Sequence, residues 1–247
     1  MKKIFVLVFC FVFVLTLTSC GKDNSPATED KKDADVVMSH SDYLAAALDS
    51  SVTVDTYVQA KQSWWEGKAT FYTQEPDGAY FIYQMPCTKE EFDALTQGTK
   101  IRVSGKKSEW SGETEITDAT FKILDGNYVA KPLDVTALLG TDELIAHQNE
   151  LVEFKGMTVE PKTDSAGNEV AFLYNWDGTG KEGDDLYFDV SLNGNKYTFT
   201  VESYLCGSDT DVYKAVKELK VGDVIDMTGF LYWYEGVNPH ITAVTPA

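Results

Sequence analysis

The chain has 247 residues, with 21 basic against 39 acidic side chains and a net charge of −18. That length admits one or two domains, and 43% hydrophobic with 13% aromatic residues is enough to build real cores, which excludes wholesale disorder. Four cysteines exclude a disulfide-dense miniprotein, and the acidic balance excludes a generic nucleic-acid coat.

Lys2 and Lys3 open a run that is apolar from Ile4 to Leu15 and closes on Leu17-Thr18-Ser19-Cys20. A basic start, an apolar stretch shorter than the about 20 residues of a bilayer span, and small residues at its end describe a secretory signal over residues 1–19. Cleavage there removes two lysines and no acid, so the mature chain is more acidic still. Residues 20–40 are rich in Lys, Asp and Glu up to Asp35, hold little that is apolar, and read as a flexible tether.

A spaced set of residues then recurs at a constant offset of 124. Leu95, Gly98, Ile101, Gly105, Trp110 and Gly112 return as Leu219, Gly222, Ile225, Gly229, Tyr234 and Gly236. An earlier stretch, SDYLAAALDSSVTV from Ser41, returns at an offset of 100 as TDELIAHQNELVEF from Thr141. The chain is a duplication, and the change of offset locates an insertion in the second copy, near residues 161–185. These repeats predict a first domain over residues 41–127, a linker over 128–140 and a second domain over 141–247.

Each copy opens with a predicted short helix capped by Ser41 or Thr141, followed by a strand carrying Val52 and Val54 or Val152 and Phe154. Two strands follow, over about 68–74 and 79–85 around Pro76-Asp77-Gly78 in copy one, and around the hairpin signal Asn193-Gly194 in copy two. A helix comes next, marked by the capping box of Thr88 and Glu91, and by Ser208 before Val212, Val216 and Leu219. Gly98 and Gly222 fit its C-terminal cap, and two more strands close each copy. Three strands, a helix and two strands is the order of an OB-fold, a five-stranded partly open barrel. The predicted fold is therefore mostly β: two OB-fold-like five-stranded barrels, each with a short helix between strands three and four, after a signal peptide and tether.

The tetrapeptide ending at Cys20 resembles the lipobox of bacterial lipoproteins. With the tether and the motifs GAYFIY, GTKIRVSGKKSEWSG and VGDVIDMTGFLYWY, nearly the whole mature chain resembles uncharacterised bacterial lipoproteins carrying tandem OB-fold-like domains. The resemblance implies that the Cys20 thiol is diacylglycerylated and its new amine acylated, by palmitate among other chains. It implies an extracytoplasmic protein held on a membrane by that anchor, and it implies no activity.

Catalytic signals are weak. His40, His147 and His240 lie in separate segments, none at metal-ligand spacing with another His or Cys, and Ser203 has no nucleophile elbow or phosphate loop around it. No enzyme, cofactor or metal is expected. The glycine-rich loop from Asp177 to Asp185 offers four carboxylates but departs from the EF-hand at Lys181 and Glu182, and reads as a solvated loop. Cys87 and Cys206 sit at equivalent places before the two helices, either as a disulfide between domains or as two buried apolar residues.

Aromatic residues carry the binding signal. Trp64, Trp65 and Trp110 fall in the two loops by which OB-folds grip oligomers, and Trp176, Tyr232, Trp233 and Tyr234 repeat the arrangement. Tyr80, Phe81, Ile82 and Tyr83 are apolar on both faces of a strand although a barrel wall needs only one, which predicts that the outward pair faces the other domain. Against residues 51–127, with 8 basic and 12 acidic side chains, and residues 149–247, with 7 and 17, the basic stripe of Lys100, Arg102, Lys106 and Lys107 is small. Charge thus disfavours nucleic acid. The expectation from sequence is a non-catalytic module for a neutral polymer such as glycan, or for another surface protein, with a structural or assembly role as the alternative. Its expected ligand residues are Trp64, Trp65, Tyr83, Trp110, Trp233 and Tyr234.

Overall fold

A computed structural model describes residues 36–247; the signal, Cys20 and most of the tether lie outside the described residues. The first half runs helix α1 (His40–Ala45), β1 (Ser51–Lys61), β2 (Lys68–Glu75), β3 (Gly78–Pro86), helix α2 (Lys89–Ala94), β4 (Thr99–Trp110) and β5 (Glu113–Asn127). These five strands close into a barrel in the order β1-β2-β3-β5-β4. The second half runs β6 (Leu133–Asp134), two 3₁₀ turns (Thr136–Leu138 and Asp142–His147), β7 (Leu151–Glu160), β8 (Lys162–Thr163), β9 (Glu169–Val170), β10 (Phe172–Tyr174), β11 (Leu186–Leu192), β12 (Asn195–Val201), helix α3 (Asp211–Lys217), β13 (Val224–Phe230) and β14 (His240–Pro246).

The second sheet has the order β10-β11-β12-β14-β13-β7-β6, with a further pairing of β11 to β7. Its pairings from β7 through β11, β12, β14 and β13 return to β7, and so repeat the first circuit strand for strand. Both circuits contain one parallel contact, Phe81 beside Glu115 in the first and Thr200 beside His240 in the second. Strands β8 to β10 occupy the inserted stretch, with β8 and β9 paired to each other.

Alternation along the strands fills each interior. Val52, Val54, Phe71, Tyr80, Ile82, Ile101, Val103 and Ile116 are buried in the first core; Val152, Phe154, Phe188, Val190, Phe199, Ile225 and Met227 are buried in the second. The Asn193-Gly194 turn has positive φ at both residues, 52° and 81°, the geometry that a two-residue hairpin needs and that Asn-Gly supplies without strain. Cys87 and Cys206 are free and buried, as small apolar members of the two cores.

Helix ends differ from the sequence expectation for local reasons. The cap of α1 is Ser39, whose hydroxyl accepts from Asp42 N–H while the Asp42 carboxylate returns to Ser39 N–H. Ser41 and Thr141 have Leu44 and Leu144 three residues on, which can return no bond. The stretch after Thr141 accordingly forms a 3₁₀ turn without a side-chain cap, and the Thr141 hydroxyl donates backward to Leu138 C=O. Helix α3 takes Thr210 as its cap, two residues later than Ser208. Gly98 and Gly222 do not cap helices, which end at Ala94 and Lys217. They turn the chain into β4 and β13 with φ of 88° and 90°, and each donates its N–H to the facing first strand, to Val58 C=O and Val159 C=O. The offset of 100 pairs Leu44 with Leu144, yet the first barrel is plugged by Tyr43, and Leu44 is exposed while Leu144 is buried.

Gly105 and Gly229 are repeated because neither can carry a side chain. Each lies where its strand's register shifts, against β5 and β14. A Cβ on Gly105 would stand 2.6 Å from Thr117 O, and one on Gly229 would stand 2.3 Å from His240 O. Both obstacles are backbone. Gly105→Ala and Gly229→Ala should each cost about 1–3 kcal/mol of stability, the usual range for overpacking. That is a fall of roughly 2–10 °C in Tm by calorimetry for a domain of this size; an unchanged Tm would show that the bulges relax freely.

Candidate functional site

The two circuits meet along an aromatic seam. Tyr72 of β2 stacks on Phe230 at 4.5 Å between ring centroids, and its hydroxyl bonds to His240 Nδ1 at 2.6 Å. Phe81 meets Tyr232 edge-on at 5.3 Å, and Tyr232 in turn stacks on His240 at 4.2 Å. Tyr72, Phe81 and Phe230 are buried there. Polar bonds fix the register: Gln74 Oε1 accepts from Leu151 N–H at 2.8 Å, Asn149 Nδ2 donates to Thr114 C=O at 3.1 Å, and Ser63 N–H donates to Tyr204 C=O at 2.8 Å.

The turns between the last two strands of each copy meet at this seam. Glu235 N–H donates to Ser111 C=O at 2.7 Å, and in both turns two residues in succession have positive φ, Ser111-Gly112 and Glu235-Gly236. The residues just before them, Trp110 and Tyr234, stand at equivalent places in the repeat and line one cleft of about 850 Å³. Trp176 from the insertion and Tyr83 of β3 join them. The four rings are 61%, 49%, 75% and 42% exposed. Phe81, Tyr187, Tyr232 and His240 are also on its wall. A smaller cleft of about 440 Å³, lined by Trp65, Tyr204 and Lys68, lies on the other side of Tyr83 and Gln62, which line both.

Among the sequence-predicted ligand residues, the structure brings Tyr83, Trp110 and Tyr234 together and places Trp65 in the neighbouring cleft. Trp64 is turned inward; its indole N–H donates to Cys87 C=O at 2.9 Å and its ring packs on the first core. Trp233 packs on the second core and lies over Gly112, whose hypothetical Cβ would sit 2.9 Å from the ring. Sequence reasoning missed Glu115, Tyr187, Glu202 and His240. The Tyr72–His240 bond spans 168 residues, and no local pattern marks such a pair.

Electrostatics divide the molecule. Asp55 is held below the usual carboxylate range by its hydrogen bonds from Arg102, with Lys100 beside it, so two members of the basic stripe are already paired. Lys106 pairs with Asp118, and Lys107 is buried, donating to three carbonyls at the C-terminal end of α1, Tyr43, Leu44 and Ala46. In the inserted loop Asp177 bonds Thr179, Asp184 bonds Lys181 N–H, Asp185 bonds Ser203 N–H and Glu182 pairs with Lys217. Among the described residues no group of three or more His, Cys, Asp or Glu is placed to hold a metal ion. On the cleft, Glu202 is pushed up to about 7 by burial and by Asp185, and burial raises Glu115. Burial lowers His240 to about 3, so its ring is neutral and accepts or donates only as an imidazole.

No family model and no curated protein matches the chain. Solved structures do. A murine DNA-binding protein bound to double-stranded DNA is 11% identical with a TM-score of 0.37, over 79% of this chain and 96% of that one. The HIN1 domain of p202 in complex with a 12-mer double-stranded DNA is 12% identical with a TM-score of 0.36, over 82% and 95%. A replication protein A heterotrimer bound to single-stranded DNA is 10% identical with a TM-score of 0.30, over 78% of this chain and 49% of that one. The chain is an OB-fold-like β protein. The expectation that placed a neutral glycan or a protein first and set nucleic acid aside is corrected: these similar structures are described with DNA. Net charge summed over a chain does not fix the potential at one groove, so it was a poor ground for that ranking.

Glu113 ties the seam to pH. It is fully buried; its Oε2 accepts from Trp233 N–H at 2.8 Å and from Gln148 Nε2 at 3.1 Å, while its Oε1 has no partner. Burial pushes this carboxyl up to about 8, and one proton would turn the orphan acceptor into a donor. With a folded pKa above the unfolded value, the contribution is fully present below about pH 4.5 and is lost as pH rises through 8. Stability should therefore fall between pH 6 and pH 9, by a few kcal/mol, and Glu202 and Glu115 act in the same direction. Glu113→Gln should flatten much of that decline in denaturant titrations at the two pH values; an equally steep decline in the variant would remove Glu113 as its source.

Proposed function

We propose that the chain is a lipid-anchored, extracytoplasmic protein of two tandem OB-like units, residues 41–127 and 141–247, without a catalytic role. In this reading the joint between the units is the working part, and the larger cleft binds a ligand with planar aromatic or heteroaromatic rings by stacking. One observation carries it: the equivalent turns of the two copies meet, and so bring Trp110 and Tyr234 onto one cleft with Trp176 and Tyr83. Exposed tryptophans give up apolar contact in water, and a stacked ring recovers it. The repeated circuit of strand pairings supports the division into two units, and the run ending at Cys20 supports the anchor.

Titration of the detergent-solubilised chain with small indoles and with octathymidylate, followed by tryptophan fluorescence, tests the cleft. At least one class should quench. Trp110→Ala and Trp176→Ala should each weaken that binding by about 5- to 150-fold, the worth of one stacked ring, with Tm nearly unchanged. Trp64→Ala and Trp233→Ala should instead lower stability, by up to about 3–5 kcal/mol. Loss of the fold in the Trp110 and Trp176 variants, or no quenching by either class, would reject the site. The anchor is tested separately: a fatty-acid analogue fed to cells should label the wild type and not Cys20→Ala.

A further inference from the structure

Carboxylates and aromatic rings share the larger cleft. Glu115, Asp185, Glu202 and Glu235 line it, while none of its described lining residues is Lys or Arg. Glu202 accepts from Tyr204 N–H and Leu205 N–H, and Asp185 from Ser203 N–H. Glu115 is different: it is 8% exposed, it lies beside Phe81 in the β3–β5 register, and no described residue gives its carboxyl a hydrogen bond or an ion pair. Asp189, buried to a similar degree, shows the contrast. It is 6% exposed and is met by Lys162 at 2.8 Å, Lys196 at 2.7 Å and the Thr198 hydroxyl at 2.8 Å.

We infer that the ligand of this cleft is an organic cation, an amine attached to a planar ring, whose ring stacks on Trp110 and Tyr234 and whose ammonium is received by Glu115. Glu115 is largely buried while its carboxyl oxygens still open to the cleft, and a cation arriving there supplies the donor and the charge together. The surrounding faces of Tyr83, Trp110 and Trp176 suit the same charge, because the π-face of an aromatic ring is negative. A neutral ring compound would leave Glu115 unmet, and an anion would add repulsion from four acids.

This inference rests on the stacking reading above, and one pair of probes separates the two. Tryptamine and tryptophol share the indole ethyl group and differ in ammonium against hydroxyl. Calorimetry on the full chain should show tryptamine binding about tenfold or more tightly than tryptophol, and indole-3-acetate binding more weakly than either. Glu115→Gln should close most of the gap between tryptamine and tryptophol while leaving tryptophol affinity unchanged. Equal affinities in the wild type would overturn the cation while leaving the stacking site intact. Binding of neither indole nor octathymidylate would overturn both, and tighter binding of indole-3-acetate or octathymidylate than of tryptamine would overturn the cation alone. If Glu115→Gln fails to fold, Glu235→Gln on the exposed rim provides the second variant, and a tryptamine preference that it does not reduce counts against the proposal.

Discussion

The hydrogen bond from the buried Tyr72 hydroxyl to His240 holds the two halves in one orientation, and the cleft follows from that orientation. Apolar burial alone is non-directional, so Phe81, Phe230 and Leu151 could satisfy it at many relative rotations of the halves. A fully buried phenol cannot lose its partner without a cost of about 1–3 kcal/mol, and here the partner is one nitrogen of a neutral imidazole. His240 is stacked between this bond and the Tyr232 ring, and Tyr232 also forms cleft wall. Phe81, Tyr232 and His240 therefore both close the seam and line the candidate site.

The repeated circuit of strand pairings gives the scaffold its symmetry, and unlike flanking segments give the site its asymmetry. The meeting of Ser111 with Glu235 is a contact between equivalent turns, as expected when two copies of one surface face each other. Gly112 and Gly236 keep those turns tight in both copies. Away from the turns the copies part company. The first contributes Trp65 and Tyr83 from its short crossing and third strand; the second contributes Trp176 from an insertion that the first lacks. Symmetric turns with unlike flanks give a cleft with two different ends.

Much of the scaffold was legible because it is encoded locally. Alternation located strands in both halves, Asn193-Gly194 announced its hairpin, and the doubled Gly105 and Gly229 marked bulges that only the coordinates explain. Helix starts were read less well, since a serine or threonine caps only where the residue three positions on can answer it, as Asp42 does for Ser39 and Leu44 cannot for Ser41. Phe81 was visible as one apolar face too many. The acidic part of the site was not visible at all, because Glu115, Asp185 and Glu202 come from three segments and look like ordinary surface charge in a chain full of it. Trp64 and Trp233 illustrate the opposite failure. Composition and position suited a ligand loop, and only the Cys87 carbonyl and Gly112 show that these rings are packed inward.

The placement of charge separates what folding requires from what it tolerates. Asp55 and Asp189 are neutralised by two bases each, and both are held below the usual carboxylate range. In those pairs the attraction of the bases offsets the desolvation that each carboxylate still carries. Glu115 and Glu202 are buried to about the same degree as Asp189 and are raised instead, with no Lys or Arg among the described residues of the cleft to offset them. In a chain with 21 lysines and arginines the means to neutralise them was at hand. Acids raised by burial on one cleft against aromatic walls destabilise the folded state at neutral pH, and none of them belongs to either hydrophobic core. The joint thus carries a cost that packing does not explain, and a site that receives its compensating charge from a ligand accounts for it.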